Sequence, residues 1–133
     1  VIRTSAFFSP HDPHNFAMAV VDHLQRGVRF TAAADYIVSP TYVPDLCDAS
    51  LDLLIDGETG IWHLSNEAAV SWAQFATQVA RACGLDQSLI DPVPAAQAGW
   101  KARRPRVSAL VSGKGAPMPS LSAAIERFAR ELI

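Results

Sequence analysis

Short strand-like stretches alternate with amphipathic helix-like stretches along nearly the whole sequence, and this restricts the chain to an α/β architecture with short, mostly parallel strands. Val1 to Phe8 is rich in β-branched and aromatic residues and reads as one buried strand that stops at Ser9-Pro10. From about Pro13 to Gln25 the apolar residues Phe16, Val20, Val21 and Leu24 recur at helical spacing, and Gly27 supplies a left-handed cap. Val28 to Ala32 is strand-like again. Proline in Ser39-Pro40-Thr41-Tyr42 imposes an extended backbone, which predicts a turn with exposed hydroxyls.

Further along, Pro44 suits the first turn of a second helix, with Asp45 complementing its dipole and Leu46, Ala49, Leu53 and Leu54 as its apolar stripe before Gly57. Gly60 to Leu64 reads as a short strand. Ser71-Trp72-Ala73-Gln74 is a capping-box pattern, in which the Ser and Gln side chains satisfy each other's free amides. It predicts a third helix from Trp72 to Cys83, with Phe75, Ala76 and Val79 inward and Gly84 ending it. Ile90 to Pro105 is broken by prolines and has no periodicity, so it is expected to be a long loop of the kind that carries function. Ser120 caps a last helix whose apolar residues Leu121, Ala124, Ile125, Phe128 and Leu132 share one face.

With 133 residues, half of them apolar and 18% charged, the chain makes one soluble domain, residues 1–133. It has enough core to fold without disulfide or metal. No apolar stretch reaches the length of a membrane span, and no signal peptide is apparent. Cys47 and Cys83 form no CxxC, and there is no Asn-x-Ser/Thr acceptor, which places the chain in the cytoplasm. Each cysteine falls on the apolar side of a helix pattern and reads as a small buried hydrophobe. Both methionines are internal, and the first strand begins without a lead-in, so the sequence reads as a piece of a longer protein.

Charge is segregated. Residues 35–67 hold seven acids and no Lys or Arg, whereas residues 101–114 hold five bases and no acid. Lys101, Arg103, Arg104 and Arg106 cluster in the expected long loop, where guanidinium forks match phosphate oxygens two at a time. That run is either an anion site or a solvated loop balancing the acidic segment. A net charge of −2 and the lack of interleaved aromatics argue against nucleic acid. His11 and His14 lack a third ligand at a diagnostic spacing, so no metal site is expected, and His63 reads as a hydrogen-bonded structural histidine.

Three signatures are missing from the sequence. No G-x-G-x-x-G follows a strand, Gly113-Lys114-Gly115 being too short, so the chain carries no dinucleotide fingerprint and no cofactor of its own is expected. Tyr36 and Tyr42 are followed four residues later by Pro40 and Leu46, so no Tyr-x-x-x-Lys pair exists, and no G-x-S-x-G elbow is present.

Arg3-Thr4-Ser5, Asn15-Phe16, Ser39-Pro40-Thr41-Tyr42 with Asp45-Leu46, Gly60-Ile61-Trp62-His63-Leu64, Ser71-Trp72 with Phe75-Ala76, and Arg104-Pro105 with Ser108 and Leu110 occur here in an order with a precedent. In that order they resemble the C-terminal half of dTDP-4-dehydrorhamnose reductases, which are extended short-chain reductases acting on a 4-keto nucleotide sugar with NAD(P)H. The resemblance implies the C-terminal portion of a Rossmann-like fold with about four helices. It also implies a nucleotide-sugar pocket on this part. The glycine-rich loop, the Tyr/Lys pair and the NAD(P) site would lie on an N-terminal half outside this sequence. Together with the rigid Ser-Pro-Thr turn and the arginine loop, it singles out Ser39, Thr41 and Arg104 as substrate-binding residues, with Asn15 behind them.

The sequence departs from the family pattern in three places: Ala6 stands where an aromatic residue usually follows Arg-Thr-Ser, Phe8-Ser9 replaces Tyr-Gly, and Pro119-Ser120 replaces a tryptophan near the last helix. One reading is the substrate-binding portion of a nucleotide-sugar reductase, not catalytic by itself. A second is a non-catalytic binding or regulatory module of the same fold, and a third is a domain acting alone on an anionic sugar. Without the cofactor half, apolar surface is expected to be exposed and to drive self-association.

Overall fold

The computed structural model describes residues 1–115 and 117–132. Among these described residues nine short strands and four α-helices follow one another: β1 (Ile2–Arg3), β2 (Phe7–Phe8), α1 (Phe16–Gln25), β3 (Phe30–Ala33), β4 (Ile37–Val38), β5 (Thr41–Tyr42), α2 (Val43–Ile55), β6 (Trp62–His63), β7 (Val70–Ser71), α3 (Trp72–Ala82), β8 (Ile90–Val93), β9 (Val107–Ser108) and α4 (Leu121–Glu131). Pairing is mostly parallel. β1 lies beside β6, β2 beside β5 and β3 beside β8, the last in register from Phe30 opposite Ile90 to Ala33 opposite Val93. β4 is flanked by antiparallel β7 and parallel β9.

The helix limits follow their caps. Ser71 accepts from the Gln74 amide at 3.0 Å while the Gln74 side chain accepts from the Ser71 amide at 2.8 Å, completing the capping box. Ser120 caps α4 through the Ala123 amide. Past the C-cap of α3, Gly84 takes φ +66°, a conformation costly for a residue bearing Cβ. α1 begins at Phe16 rather than near Pro13, because Asn15 is its N-cap and accepts from the Met18 amide at 3.0 Å. Helical faces of α1, α3 and α4 meet around Phe8, whose ring lies 5.1 Å from Phe75, 5.2 Å from Tyr42 and 5.6 Å from Phe128.

Four expectations are corrected. Val1 to Phe8 is not one buried strand: it breaks between Arg3 and Phe7, where Ala6 takes φ +47°, and Val1 and Ile2 are exposed beside β6. Ile90 to Pro105 is not all loop, since its first four residues form β8. Pro92 is accommodated because β8 pairs with a strand on one side only among the described residues. Leu54 lies outside the inward face of α2, which consists of Asp45 and Ala49 with Leu46 and Leu53 against Leu64. Cys47 is likewise exposed, whereas Cys83 is half-buried and its burial raises the thiol pKa.

Asp45 does more than complement a helix dipole. It is buried, its Oδ1 pairs with the Arg127 guanidinium of α4, and its Oδ2 accepts from Asn66 at 2.7 Å. The fully buried Asn66 carboxamide also accepts from the Tyr42 amide at 2.7 Å and donates to the Pro119 carbonyl at 3.0 Å. Asn66→Ala orphans these groups. It is expected to cost about 3 kcal/mol in urea unfolding, on the order of one to two unsatisfied buried polar groups.

The ring of Tyr42 is fully buried beneath Arg127, and its hydroxyl has no hydrogen-bond partner among the described residues. Burial, and then the neighbouring Glu131 carboxylate, raise its pKa above the ordinary tyrosine value. The unfolded chain therefore releases this proton first, near pH 10, so the stability tied to it is intact below that pH and is lost progressively above it. Tyr42→Phe should flatten the fall in urea midpoint between about pH 9 and pH 11. An unchanged slope would contradict this assignment.

Candidate functional site

β3 and β8 run parallel, and the segments leaving their carboxyl ends lie side by side, which is where ligands bind in open α/β sheets. Asp35 and its neighbours hold the second of these segments at both ends. Asp35 Oδ1 accepts from the Ala95 amide at 2.8 Å, and the Ile37 amide donates to the Arg106 carbonyl at 2.8 Å. The Arg106 guanidinium also stands 3.8 Å from Asp35. Residues 95–106 thus form a loop pinned at its base.

Trp100 is the centre of that loop. Tyr36 meets its ring edge-on at 5.1 Å, and the Arg104 guanidinium lies over it at 5.1 Å. The indole separates two hollows. One, of about 310 Å³, is lined by Phe16, Phe30, Trp72 and Arg104 among others. The other, of about 230 Å³, lies between Tyr36 and the stretch from Lys101 to Arg104. Lys101, Arg103 and Arg104 have no carboxylate partner within ion-pair distance among the described residues, and all three are exposed. Aromatic walls beside unpaired guanidinium groups suit a flat ring joined to an anionic group.

The residues singled out in the sequence do not all reach this place. Arg104 does. The Ser39-Pro40-Thr41-Tyr42 turn has no exposed hydroxyl, because all four residues are buried. Ser39 Oγ donates to the Ala68 carbonyl at 2.7 Å and accepts from the Leu110 amide at 2.9 Å, tying the exit of the basic loop to the segment before β7. Thr41 Oγ1 donates to the Ser39 carbonyl at 3.2 Å. Asn15, besides capping α1, donates to the Ser9 and Asp12 carbonyls, both at 2.7 Å, and so closes the loop before Phe16. Ser39, Thr41 and Asn15 therefore shape the frame around the hollows.

Trp100 and Tyr36 were not identified from the sequence. The one available signal was a tryptophan directly before the basic run; the approach of Tyr36 depends on the pairing of β3 with β8. The histidines take ordinary places. His63 Nδ1 is 3.2 Å from the Val111 carbonyl, and His11 Nε2 is 3.6 Å from Glu131. Among the described residues no three His, Cys, Asp or Glu side chains are grouped for a metal.

Solved structures identify the class of fold. The chain superposes with a TM-score of 0.88 on dTDP-4-dehydrorhamnose reductase from Bacillus anthracis in complex with NADP, at 29% identity, covering 98% of this chain and 47% of that one. UDP-glucose 4-epimerase from Thermus thermophilus, in complex with NAD, shares the fold at a TM-score of 0.73 and 18% identity over 98% of this chain and 45% of that one. This is the Rossmann-like fold of extended short-chain reductases.

The family model described as the RmlD substrate binding domain matches residues 1–126, and the chain belongs to that family. Among curated relatives, dTDP-4-dehydrorhamnose reductase of Mycobacterium tuberculosis is 37% identical over 114 residues, covering 84% of this chain and 37% of that protein. The spore coat polysaccharide biosynthesis protein SpsK of Bacillus subtilis is 33% identical over 110 residues, covering 83% of this chain and 38% of that protein. The chain thus spans less than two-fifths of the length of these relatives.

Proposed function

We propose that this chain is the part of an NAD(P)-dependent 4-keto reductase that binds a dTDP-4-keto-sugar, and that it is not catalytic by itself. The observation that carries this reading is the Tyr36, Trp100 and Arg104 cluster beyond the carboxyl ends of β3 and β8, with Arg103 and Lys101 beside it. A pyrimidine ring stacks against the aromatic wall, and the diphosphate lies on the guanidinium groups. Arg104 is the residue in direct contact. Ser39, Thr41 and Asn15 act through the backbone segments they hold.

The cofactor and the proton-donating tyrosine belong to an N-terminal half, in keeping with the portion of the relatives that this chain leaves unmatched. Among the described residues β1 pairs only with β6, and Val1 and Ile2 are exposed, which makes the other edge of β1 the place where that half adds its strands. Left open, the same edge favours self-association. No described helix is long and apolar enough to cross a membrane.

Calorimetric titration with dTDP and with a dTDP-sugar tests the reading. Arg104→Ala is expected to weaken binding about tenfold or more, the loss of a charge-assisted phosphate contact, and Trp100→Ala to weaken it by a similar factor through lost stacking. Both residues are at least partly exposed, so the variants should keep the parent's circular dichroism and urea midpoint. Equal affinity of the parent and both variants, all folded, would reject the assignment of the pocket.

A further inference from the structure

The basic loop begins in a 3₁₀ turn, Ala95–Gln97, that depends on a side chain from elsewhere in the chain. Within it the Gln97 amide donates to the Pro94 carbonyl at 2.8 Å and the Ala98 amide to the Ala95 carbonyl at 3.0 Å. The first amides of a helical turn have no partner inside it, and a polar side chain at the preceding residue normally supplies one. Here that residue is Pro94, whose side chain has no acceptor. Asp35 stands 60 residues earlier and takes over the task, its Oδ1 accepting from the Ala95 amide at 2.8 Å.

What this bond fixes is the direction in which the loop leaves the sheet. Gly99 follows the turn at φ +76°, a conformation open to glycine, and carries the chain to Trp100. The indole then meets Tyr36, the residue directly after Asp35, and the Ile37 amide next to it holds the Arg106 carbonyl. Three successive residues thus touch the start, the centre and the end of the loop. The carboxylate of Asp35 also faces the Arg106 guanidinium, but at 3.8 Å the two are beyond hydrogen-bond reach. With side chains 77% and 37% exposed, that ion pair contributes little, so the bond to Ala95 outweighs it.

We propose that Asp35 is a positioning residue for the nucleotide site, acting through the Ala95 amide as a hydrogen-bond acceptor and not through its charge. This rests on the reading of the Tyr36, Trp100 and Arg104 cluster as that site. Once the Ala95 amide is released, the turn loses its anchor and Trp100 no longer meets Tyr36 in one orientation. Arg104, which lies over the indole, shifts with it. A ligand must then order the loop as it binds, and affinity falls by that cost. An asparagine at this position accepts the same bond and removes a negative charge from beside the cations that meet the diphosphate.

The test compares Asp35→Ala and Asp35→Asn with the parent chain in two measurements. In the free proteins, hydrogen exchange at the Ala95 amide, read by NMR, is expected to be at least about tenfold faster in Asp35→Ala, with the Trp100 indole signal displaced, and within about threefold of the parent in Asp35→Asn. In calorimetric titration with dTDP, Asp35→Ala is expected to bind about tenfold or more weakly, and Asp35→Asn at least as tightly as the parent. Asp35 is exposed, so both variants keep the fold, as circular dichroism and the urea midpoint will verify. Unchanged affinity of Asp35→Ala, or a loss in Asp35→Asn as large as in Asp35→Ala, would overturn the role of Asp35 and leave the nucleotide pocket standing. No binding of dTDP by the folded parent would instead overturn the pocket, and the role of Asp35 with it.

Discussion

The side chain of Asn66 joins parts of the chain that no regular pairing connects. From one fully buried carboxamide it accepts from the amide of Tyr42 at the end of β5, donates to Asp45 in the first turn of α2, and donates to the carbonyl of Pro119 just before α4. Asp45 extends the contact to Arg127. A buried polar group is tolerable only when its partners are in place, so each of these bonds fixes the position of the others. β5 is held, Tyr42 is held beneath Arg127, and Phe8 can then stack against Tyr42 at the centre of the apolar core.

The same logic, repeated on a smaller scale, builds the site. Ser39 uses its hydroxyl twice to bind the segments at Ala68 and Leu110, and Asp35 uses one carboxylate to hold the start of the basic loop while its neighbour Ile37 holds the end. Polar side chains of β4 and its flanks therefore clamp a loop that contains almost no regular structure. Within that loop, partly buried Trp100 is followed by the exposed Lys101, Arg103 and Arg104.

How much of this the residues disclosed depended on the range of the interaction involved. Ser71 with Gln74, Ser120, and the glycines after α1, α2 and α3 are local signals, and they delimited the helices to within a few residues. The order of short motifs pointed to the family and its fold. Ser39, Thr41 and Tyr42 were misjudged as a solvent-facing turn because their burial is imposed by residues far away in sequence, Ala68 and Leu110 among them. β8 was hidden by Pro92, which is harmless in a strand paired on one side. An exposed apolar stripe on α2, of Leu51, Leu54 and Ile55, blurred its periodicity and drew Leu54 and Cys47 toward a core they do not enter. Of the candidate cluster, Arg104 was singled out by the basic run together with the family resemblance, whereas the approach of Tyr36 to Trp100 needed the sheet to bring them together.

The nucleotide site proposed at the pinned loop is tested most directly by a two-dimensional amide and indole NMR titration of the chain with dTDP. The predicted result is saturable shifts of the Trp100 indole and of the amides around Tyr36 and from Lys101 to Arg104, with the Asn66 and α2 signals undisturbed. Shifts confined to another part of the molecule, or none at ligand concentrations well above the millimolar range of weak binding, would contradict it.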